Sequence, residues 1–484
     1  MTQIQQRITL AVSVIVGLTL LVITGLTFLV QPLTQDLALS DKGAELALIA
    51  PTIASLLVVF IAGRAGDQFG QRRTIVAAAA IFTLGAVVLA TAQSQNGVII
   101  GLGLCGTGAI VIQVVALSLL QRTAPDGQAR TAAFTTYGAV FPIAFLIFPI
   151  ATAHFLSLVN WRWVPVLWAI AGIVIIVISM LILERDEALA SSGEWVSPIL
   201  AGIALMAGTR ALVELGERPS DSRIFTIFAA LVGVIIFALT VVMKKAAKPG
   251  FSLRPLQGSM MWPLMIGVAL VALLQILTYV SIAIEYMYGM TPIKASLVIA
   301  PAQLGAVIGA KFVAGWSIDR WGVERSGRDM LLATGTTILL LVVMQPSTSM
   351  WYLVVVSTLF SLTGMAALTI LNLDIMGRAP AEHTGAVSAF RSASSSVGTA
   401  LSMAVLGVVV LSSVTISTGV TAVEDSQLFE LAAGLRLNGY LGFIIAVAGW
   451  FFLNISARRS RTETEVETLR SPADDLMVEP TSPR

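Results

Sequence analysis

Long apolar segments separated by short polar ones dominate this chain. A helix needs about 20 apolar residues to cross a bilayer. By this measure the pattern predicts fourteen spans, at residues 8–30, 44–62, 74–92, 97–120, 132–154, 163–183, 196–213, 223–243, 260–282, 295–318, 330–345, 350–372, 388–414 and 436–455. The first segment is too long for the apolar region of a signal peptide, so we expect it to be retained as a span. The pattern therefore predicts an all-α polytopic membrane protein.

A short charged loop follows the second predicted span, and a weaker copy follows the tenth. Each copy has a glycine, an aspartate four residues later and a second glycine three residues beyond that: Gly63, Asp67 and Gly70 in the first, and Gly315, Asp319 and Gly322 in the second. Two unrelated polar turns would also use these residue types. The recurrence at equivalent places in two apolar arrays instead indicates an internal duplication.

The spacing of the two loops predicts the domain organisation. They lie eight spans apart, which a duplication of six spans with two inserted spans explains. We therefore predict an N-terminal six-helix half at 1–183, a linker with inserted spans 7 and 8 at 184–259, and a C-terminal six-helix half at 260–455. Residues 456–484 begin with basic residues and continue with mixed Glu, Thr, Ser and Pro, which is typical of a disordered tail.

Composition agrees with a membrane protein and excludes several other functions. Hydrophobic residues make up 56% of the 484 residues and charged residues 12%, against about 25% charged in soluble domains. One cysteine, Cys105, and two distant histidines, His154 and His383, predict no disulfide and no metal site. The chain has no phosphate-binding Gly-x-x-x-x-Gly-Lys-Ser/Thr loop and no nucleic-acid patch. We expect no cofactor, no nucleic-acid partner and no enzymatic activity.

The distribution of basic residues predicts the orientation. An even number of spans places both termini on one side, and the loops on that side hold about three times as many lysines and arginines as the opposite loops. Because cytoplasmic loops of membrane proteins are enriched in lysine and arginine, we expect both termini in the cytoplasm of a multi-pass protein of the cell membrane.

Ionisable side chains within spans are costly and often functional. Glu285, near the outer end of span 9, is either a carboxylate for proton coupling or cation binding, or a solvated residue at the helix mouth. Lys311 in span 10 either extends to the cytoplasmic surface or faces a cavity. Arg210 in span 7 has Glu214 one turn later, a spacing that brings the two side chains together. Arg210 is either half of a structural ion pair, which its place in the insert favours, or a candidate for proton coupling or substrate binding.

Several motifs resemble the major facilitator superfamily, and within it the fourteen-span branch best known for drug:proton antiport. The family loop G-x-x-x-D-R-x-G-R-R is matched by Gly63, Asp67, Gly70, Arg72 and Arg73, with Gln68 in place of the usual first arginine. Two more segments are similar to the family, Trp161-Arg162-Trp163 and the stretch from Thr291 to Pro301. The resemblance implies a major facilitator fold of two six-helix halves plus two inserted helices.

The resemblance also implies how the halves would move. Transport would occur by alternating access to a central cavity, and Asp67 would dock against the N-terminus of the helix that contains Arg391 when the cytoplasmic side is closed. A helix N-terminus has about half a positive charge, so a carboxylate is favourable there. We therefore predict that the first loop is a gate. Its copy, with Asp319 and Arg320, would be its counterpart in the second half.

Three positions depart from the antiporter branch. Ile23 replaces an aspartate, Leu102 replaces an arginine, and only Pro149 remains of a glycine-proline motif with paired glycines in span 5. The leading hypothesis is an exporter of small hydrophobic or amphipathic compounds, driven by the proton gradient as an antiporter. The two replacements remove charged side chains from the first half and make it less polar. The hypothesis of a transporter of lipids or of an uncharged metabolite, with weak or no proton coupling, therefore remains open.

A third hypothesis is a membrane scaffold or sensor that does not transport. The retained loop with Asp67 argues against it, because a static scaffold needs no gate. We expect the protein to act as a monomer, with a small-molecule substrate and the lipid bilayer as its partners.

Overall fold

A computed structural model describes residues 1–124, 127–184, 194–217, 222–245, 260–290, 292–379, 384–407 and 425–474, and in these ranges the regular structure is helical throughout. Much of the predicted linker, His383 and the last ten residues of the predicted tail lie outside the described residues.

Six long helices form the first half. They are α1 (Gln3–Asp36), α2 (Asp41–Phe69), α3 (Gln71–Ala90), α4 (Gln95–Thr123), α5 (Gly127–Leu158) and α6 (Trp163–Ile182). Two further helices follow, α7 (Val196–Glu217) and α8 (Ser222–Lys245). They pair with each other, and α7 lies against α2 of the first half and against the helix that begins at Thr384 in the second. α7 therefore contacts both halves, and Ala201 of α7 and Leu239 of α8 belong to the apolar cluster that the halves share.

The second half is more interrupted. It contains α9 (Met261–Leu274), α10 (Ile276–Met287), α11 (Pro292–Val298), α12 (Ala300–Ile308), α13 (Ala314–Trp321), α14 (Val323–Leu339), α15 (Met350–Gly377), α16 (Thr384–Leu401) and α17 (Asp425–Asp474). Turns of π-helix at Gly309–Val313 and Ser402–Gly407 follow α12 and α16, and a 3₁₀ turn at Leu340–Val343 follows α14.

Twelve helical segments of the described chain are long and apolar enough to cross a membrane. The predicted tenth and thirteenth spans are not among them, so the count of fourteen spans stays a prediction, as do the domain boundaries. The tenth is divided among α11, α12, the π turn and α13. Pro301 lies in the first turn of α12, where a residue without an N–H is tolerated.

The apolar core shows how the halves meet. At the end of the molecule that contains the α2–α3 turn, here called the Asp67 end, one cluster includes buried residues of both halves, such as Phe134 and Ile370. At the other end each half has a cluster of its own, around Trp168 in the first and Phe360 in the second. Among the described residues, the halves therefore share a buried apolar cluster at the Asp67 end.

The last helix extends into the segment that is predicted as a disordered tail, and that assignment stays a prediction. Residues 456–474, expected in a disordered tail, continue α17 to Asp474. This stretch contains no glycine and is rich in arginine and glutamate, which are good helix formers. The mixed charge that indicated disorder is therefore also compatible with extending a helix that is already nucleated in the preceding span.

Candidate functional site

The two glycine-aspartate loops have the same backbone. Gly70 joins α2 to α3 with φ of 88°, and Gly322 joins α13 to α14 with φ of 75°. Glycine adopts this left-handed region without the penalty that a Cβ brings. Each turn is braced in the same way, because the Thr74 hydroxyl donates to the Ala65 carbonyl at 3.1 Å and the Ser326 hydroxyl donates to the Ser317 carbonyl at 2.7 Å. The repeat in sequence is a repeat in structure.

Asp67 joins the two halves at this end. It is buried in the last turn of α2, and its Oδ1 accepts from a guanidinium nitrogen of Arg122 and from the backbone N–H of Gly385, each at 3.2 Å. Gly385 lies in the first turn of α16. The contact that the resemblance implies, between Asp67 and the N-terminus of this helix, is therefore present.

A chain of buried polar groups extends this contact. Gln71 donates to the Ser118 hydroxyl at 2.9 Å, and the Ser118 and Thr384 hydroxyls are 2.9 Å apart. Arg122 also donates to the Thr384 hydroxyl at 3.3 Å. Because such groups are costly to bury without partners, the network specifies the seating of α16 on α3 and α4.

Helices α2 and α16 approach each other closely at Gly63. A Cβ at this position would overlap with the carbonyl oxygen of Gly385 and would lie 3.0 Å from the Cβ of Ala389. One turn along α2, the rings of Phe60 and Phe390 meet edge to face with centroids 5.3 Å apart. The glycine in the repeated motif is therefore needed for the contact between the halves.

The second loop makes no equivalent contact with the described residues, and the predicted gating role of Asp319 and Arg320 stays a prediction. Asp319 and Arg320 are exposed, and Asp319 has no hydrogen bond or ion pair with a residue that the structure describes. Arg378 ends α15 as Arg122 ends α4, but it forms two 2.9 Å hydrogen bonds with Asp374 of its own helix. The two loops share a backbone, and within the described ranges the aspartate of the first loop alone bonds to the opposite half.

The other basic residues of the first loop point away from α16. Arg72 donates to the Met180 carbonyl at 2.7 Å, within the first half, and Arg73 is exposed. Their predicted participation in gating stays a prediction.

Lys311 and Arg391 also lie where the halves meet. Lys311, in the π turn after α12, donates to the Thr136 hydroxyl on α5. The lysine thus points toward the first half, and of the two interpretations left open by the sequence its position disfavours extension to the surface. Arg391 on α16 donates to the Asn372 side-chain oxygen at 2.7 Å and lies beside Tyr137 of α5.

The remaining ionisable candidates lie elsewhere. Arg210 and Glu214 form the predicted ion pair at 2.8 Å within α7. Glu285 is half-buried near the end of α10, and it has no hydrogen bond or ion pair from its side chain to the described residues. No group of three or more His, Cys, Asp and Glu side chains in the described ranges is arranged to hold a metal ion.

Arg122 is the functional candidate that the sequence did not single out. It entered only the count of basic residues, and its partners come from α2 and α16, far away in sequence. The duplication contains a signal, because Arg378 follows Asp319 at nearly the same separation as Arg122 follows Asp67. Comparing the halves for repeated basic residues at helix ends would have identified it.

Known proteins match most of the chain. The family model described as Major Facilitator Superfamily matches residues 12–403. The uncharacterized MFS-type transporter EfpA of Mycobacterium tuberculosis is 26% identical over 241 residues, which cover 49% of this chain and 45% of that protein. The match thus spans less than half of that relative's length. The tetracenomycin C resistance and export protein of Streptomyces glaucescens is 26% identical, covering 78% of this chain and 71% of its own.

Solved structures with low sequence identity share the fold. The human organic anion transporter MFSD10 (TETRAN) superposes with a TM-score of 0.64 at 15% identity, covering 94% of this chain and 100% of the other. The proton:xylose symporter XylE gives a TM-score of 0.63 at 14% identity, covering 93% and 96%. At these identities the likeness establishes the arrangement of helices alone.

Proposed function

This chain belongs to the Major Facilitator Superfamily, and from that premise we propose that it is a secondary active transporter that exports small hydrophobic or amphipathic compounds. The observation that supports this most directly is the contact of Asp67 with Arg122 and with the first turn of α16. It is a polar connection between two halves whose described residues also share a buried apolar cluster at the same end. A relative whose name describes it as a resistance and export protein matches 78% of the chain.

In the proposed mechanism the Asp67 end is the cytoplasmic gate. While α16 is seated, the carboxylate of Asp67 is stabilised by the Arg122 guanidinium and by the positive end of the α16 dipole. Separating the halves breaks the contact with α16 and exposes the buried hydroxyls of Ser118 and Thr384 to water. The closed and open forms are then two discrete arrangements, as alternating access requires.

The proposed energy source is the proton gradient, used by antiport, and Glu285 is the proposed carboxylate that couples proton movement to export. Of the carboxylates described within the membrane-spanning helices, Asp67, Glu214 and Asp374 each pair with an arginine. Glu285 has no such partner among the described residues. A carboxylate without a fixed cation is free to exchange protons with substrate or solvent. We place the protein in the cell membrane as a monomer with both termini in the cytoplasm.

The test is proton movement in liposomes that contain the purified protein, followed by a pH-sensitive dye during addition of lipophilic cations and neutral amphiphiles. We expect substrate-evoked proton flux in the wild type and its loss in Glu285→Gln. Glu45→Gln, which changes an exposed carboxylate at the start of α2, is the matched control. Substrate-evoked proton flux that persists in Glu285→Gln would show that this residue does not couple proton movement to transport.

One observation favours the second candidate, a transporter of lipids or of an uncharged metabolite with weak or no proton coupling. Leu102, where the antiporter branch has an arginine, has 0% of its surface exposed and lies in the apolar cluster of the first half. Transport of a neutral amphiphile without proton flux, on a panel that activates a known antiporter, would support this candidate over antiport.

A further inference from the structure

Among the cations within the membrane-spanning helices, some have an acidic partner and others do not. Arg122, Arg210 and Arg378 each have a carboxylate within ion-pair distance. Lys311 and Arg391 have none among the residues that the structure describes, and they donate to the neutral side chains of Thr136 and Asn372. These two residues therefore leave positive charge uncompensated inside the protein.

Both cations lie deeper in the membrane than the Asp67 contact. At 1.5 Å per residue, Lys311 is about 16 Å along its span from Gly322, and Arg391 is about 10 Å along α16 from Thr384. Both reach the same helix of the first half, because Lys311 bonds to Thr136 and Arg391 lies beside the next residue, Tyr137. The charges thus flank α5 where it faces the second half.

Each cation retains unused hydrogen-bond donors. An ammonium has three and a guanidinium has five, whereas one hydrogen bond from each side chain to the described residues is present. Both side chains are half-buried, so they remain partly accessible. A charge held at bilayer depth is costly unless an opposite charge accompanies it. An anionic ligand that accepts hydrogen bonds from both side chains would compensate this charge.

We propose that Lys311 and Arg391 bind the anionic head group of an amphipathic substrate, a carboxylate, phosphate or sulfonate with an apolar tail. This inference rests on the proposed export function and names the class of compound that the site accepts. The tail would extend toward the opposite end of the molecule, where the halves have separate apolar clusters. Below the head group, the seated α16 and the edge contact of Phe60 with Phe390 close the path.

Binding is tested with the full-length protein in nanodiscs of zwitterionic lipid. The probes are 11-(dansylamino)undecanoic acid, its methyl ester and the corresponding amine, which share a fluorophore and chain length but differ in charge. We expect the acid to bind at least about tenfold more tightly than the ester, the difference that one charge-assisted contact explains. Lys311→Gln and Arg391→Gln should each remove most of this preference, while Lys311→Arg and Arg391→Lys should retain it.

Lys244→Gln is the control, because this lysine is exposed at the end of α8, away from the interface. Retained ester binding in each variant shows that the fold is intact. A dansyl-labelled lysophosphatidylglycerol tests whether the anion comes from a lipid; preferential binding of either this probe or the acid supports the site and tells the two sources apart.

Equal binding of acid and ester by the wild type would overturn the inference and leave export untouched. In liposomes, transport of the ester without preference for the acid would overturn it equally. Absence of transport for every probe would instead count against the proposed export function, so the two failures are distinguishable.

Discussion

Replacing Asp67 by Asn should shift the protein away from the form in which α16 is seated. The substitution keeps the side-chain shape but removes the charge that faces the Arg122 guanidinium and the first turn of α16. The side chains of Arg122 and Asp67 are only 20% and 6% exposed, so water compensates little of the loss. Hydrogen bonds to charged groups contribute about 1.5–3 kcal/mol, and a carboxylate at a helix N-terminus about 0.3–1 kcal/mol.

A loss of about 2 kcal/mol changes the ratio of closed to open protein about 30-fold. If the closed form is about 99% populated in the wild type, the open form would rise from about 1% to about one quarter. The expected consequence is slower transport, since the cytoplasmic gate fails to close, with nearly unchanged substrate affinity in the cytoplasm-open form.

Electron paramagnetic resonance distances between the halves measure this shift directly. Spin labels on cysteines at Gln6 and Arg325, both exposed at the Asp67 end, would report it in a Cys105→Ala background. Asp36→Asn is the control, because Asp36 pairs with Arg162 inside the first half at 3.1 Å. An unchanged distance distribution in Asp67→Asn, or a large loss of substrate affinity in the open form, would refute the gating role.

Two further predictions concern the repeated motif. Gly63→Ala should lower transport in the liposome assay at least about tenfold, because its Cβ overlaps with the Gly385 carbonyl and prevents seating of α16. Gly103→Ala is the control and should be tolerated in the same assay, because its Cβ would meet only Ala54 at 3.9 Å. Asp319→Asn should change transport by less than about twofold, because surface charges without partners contribute little; a loss comparable to that of Asp67→Asn would show that the second loop forms its own contact in another state.

The duplication, the long helices and the position of Asp67 could be predicted from sequence because each depends on local pattern or on repeated spacing. The different contacts of the two equivalent arginines follow a difference at one neighbouring residue. Asp374 lies four residues before Arg378 and forms hydrogen bonds with it along α15. Ser118, a neutral residue, lies four residues before Arg122, so that Arg122 instead pairs with Asp67. Aligning the two arginines in the sequence is enough to see this difference.

Other features depended on contacts that no local pattern contains. The Ser118–Thr384 pair joins residues 266 positions apart, and Lys311 meets a hydroxyl 175 positions away. The broken tenth span is a different case. Close packing of Gly305 on α15, where a Cβ would lie 2.7 Å from the Thr358 carbonyl, holds an irregular stretch that hydropathy alone does not distinguish from a continuous helix.

Arg378 at the end of α15 contacts residues of three helices in the second half. Its guanidinium contacts Asp374 of α15, lies 4.0 Å from Glu324 of α14 and donates to Ser456 of α17 at 3.5 Å. Arg378 thus connects α14, α15 and α17 at the same end of the molecule where Asp67 connects the first half to α16. In the proposed opening motion, α14, α15 and α17 should therefore move together as one rigid unit, and the conformational change should concentrate at α16, where the second half contacts the first.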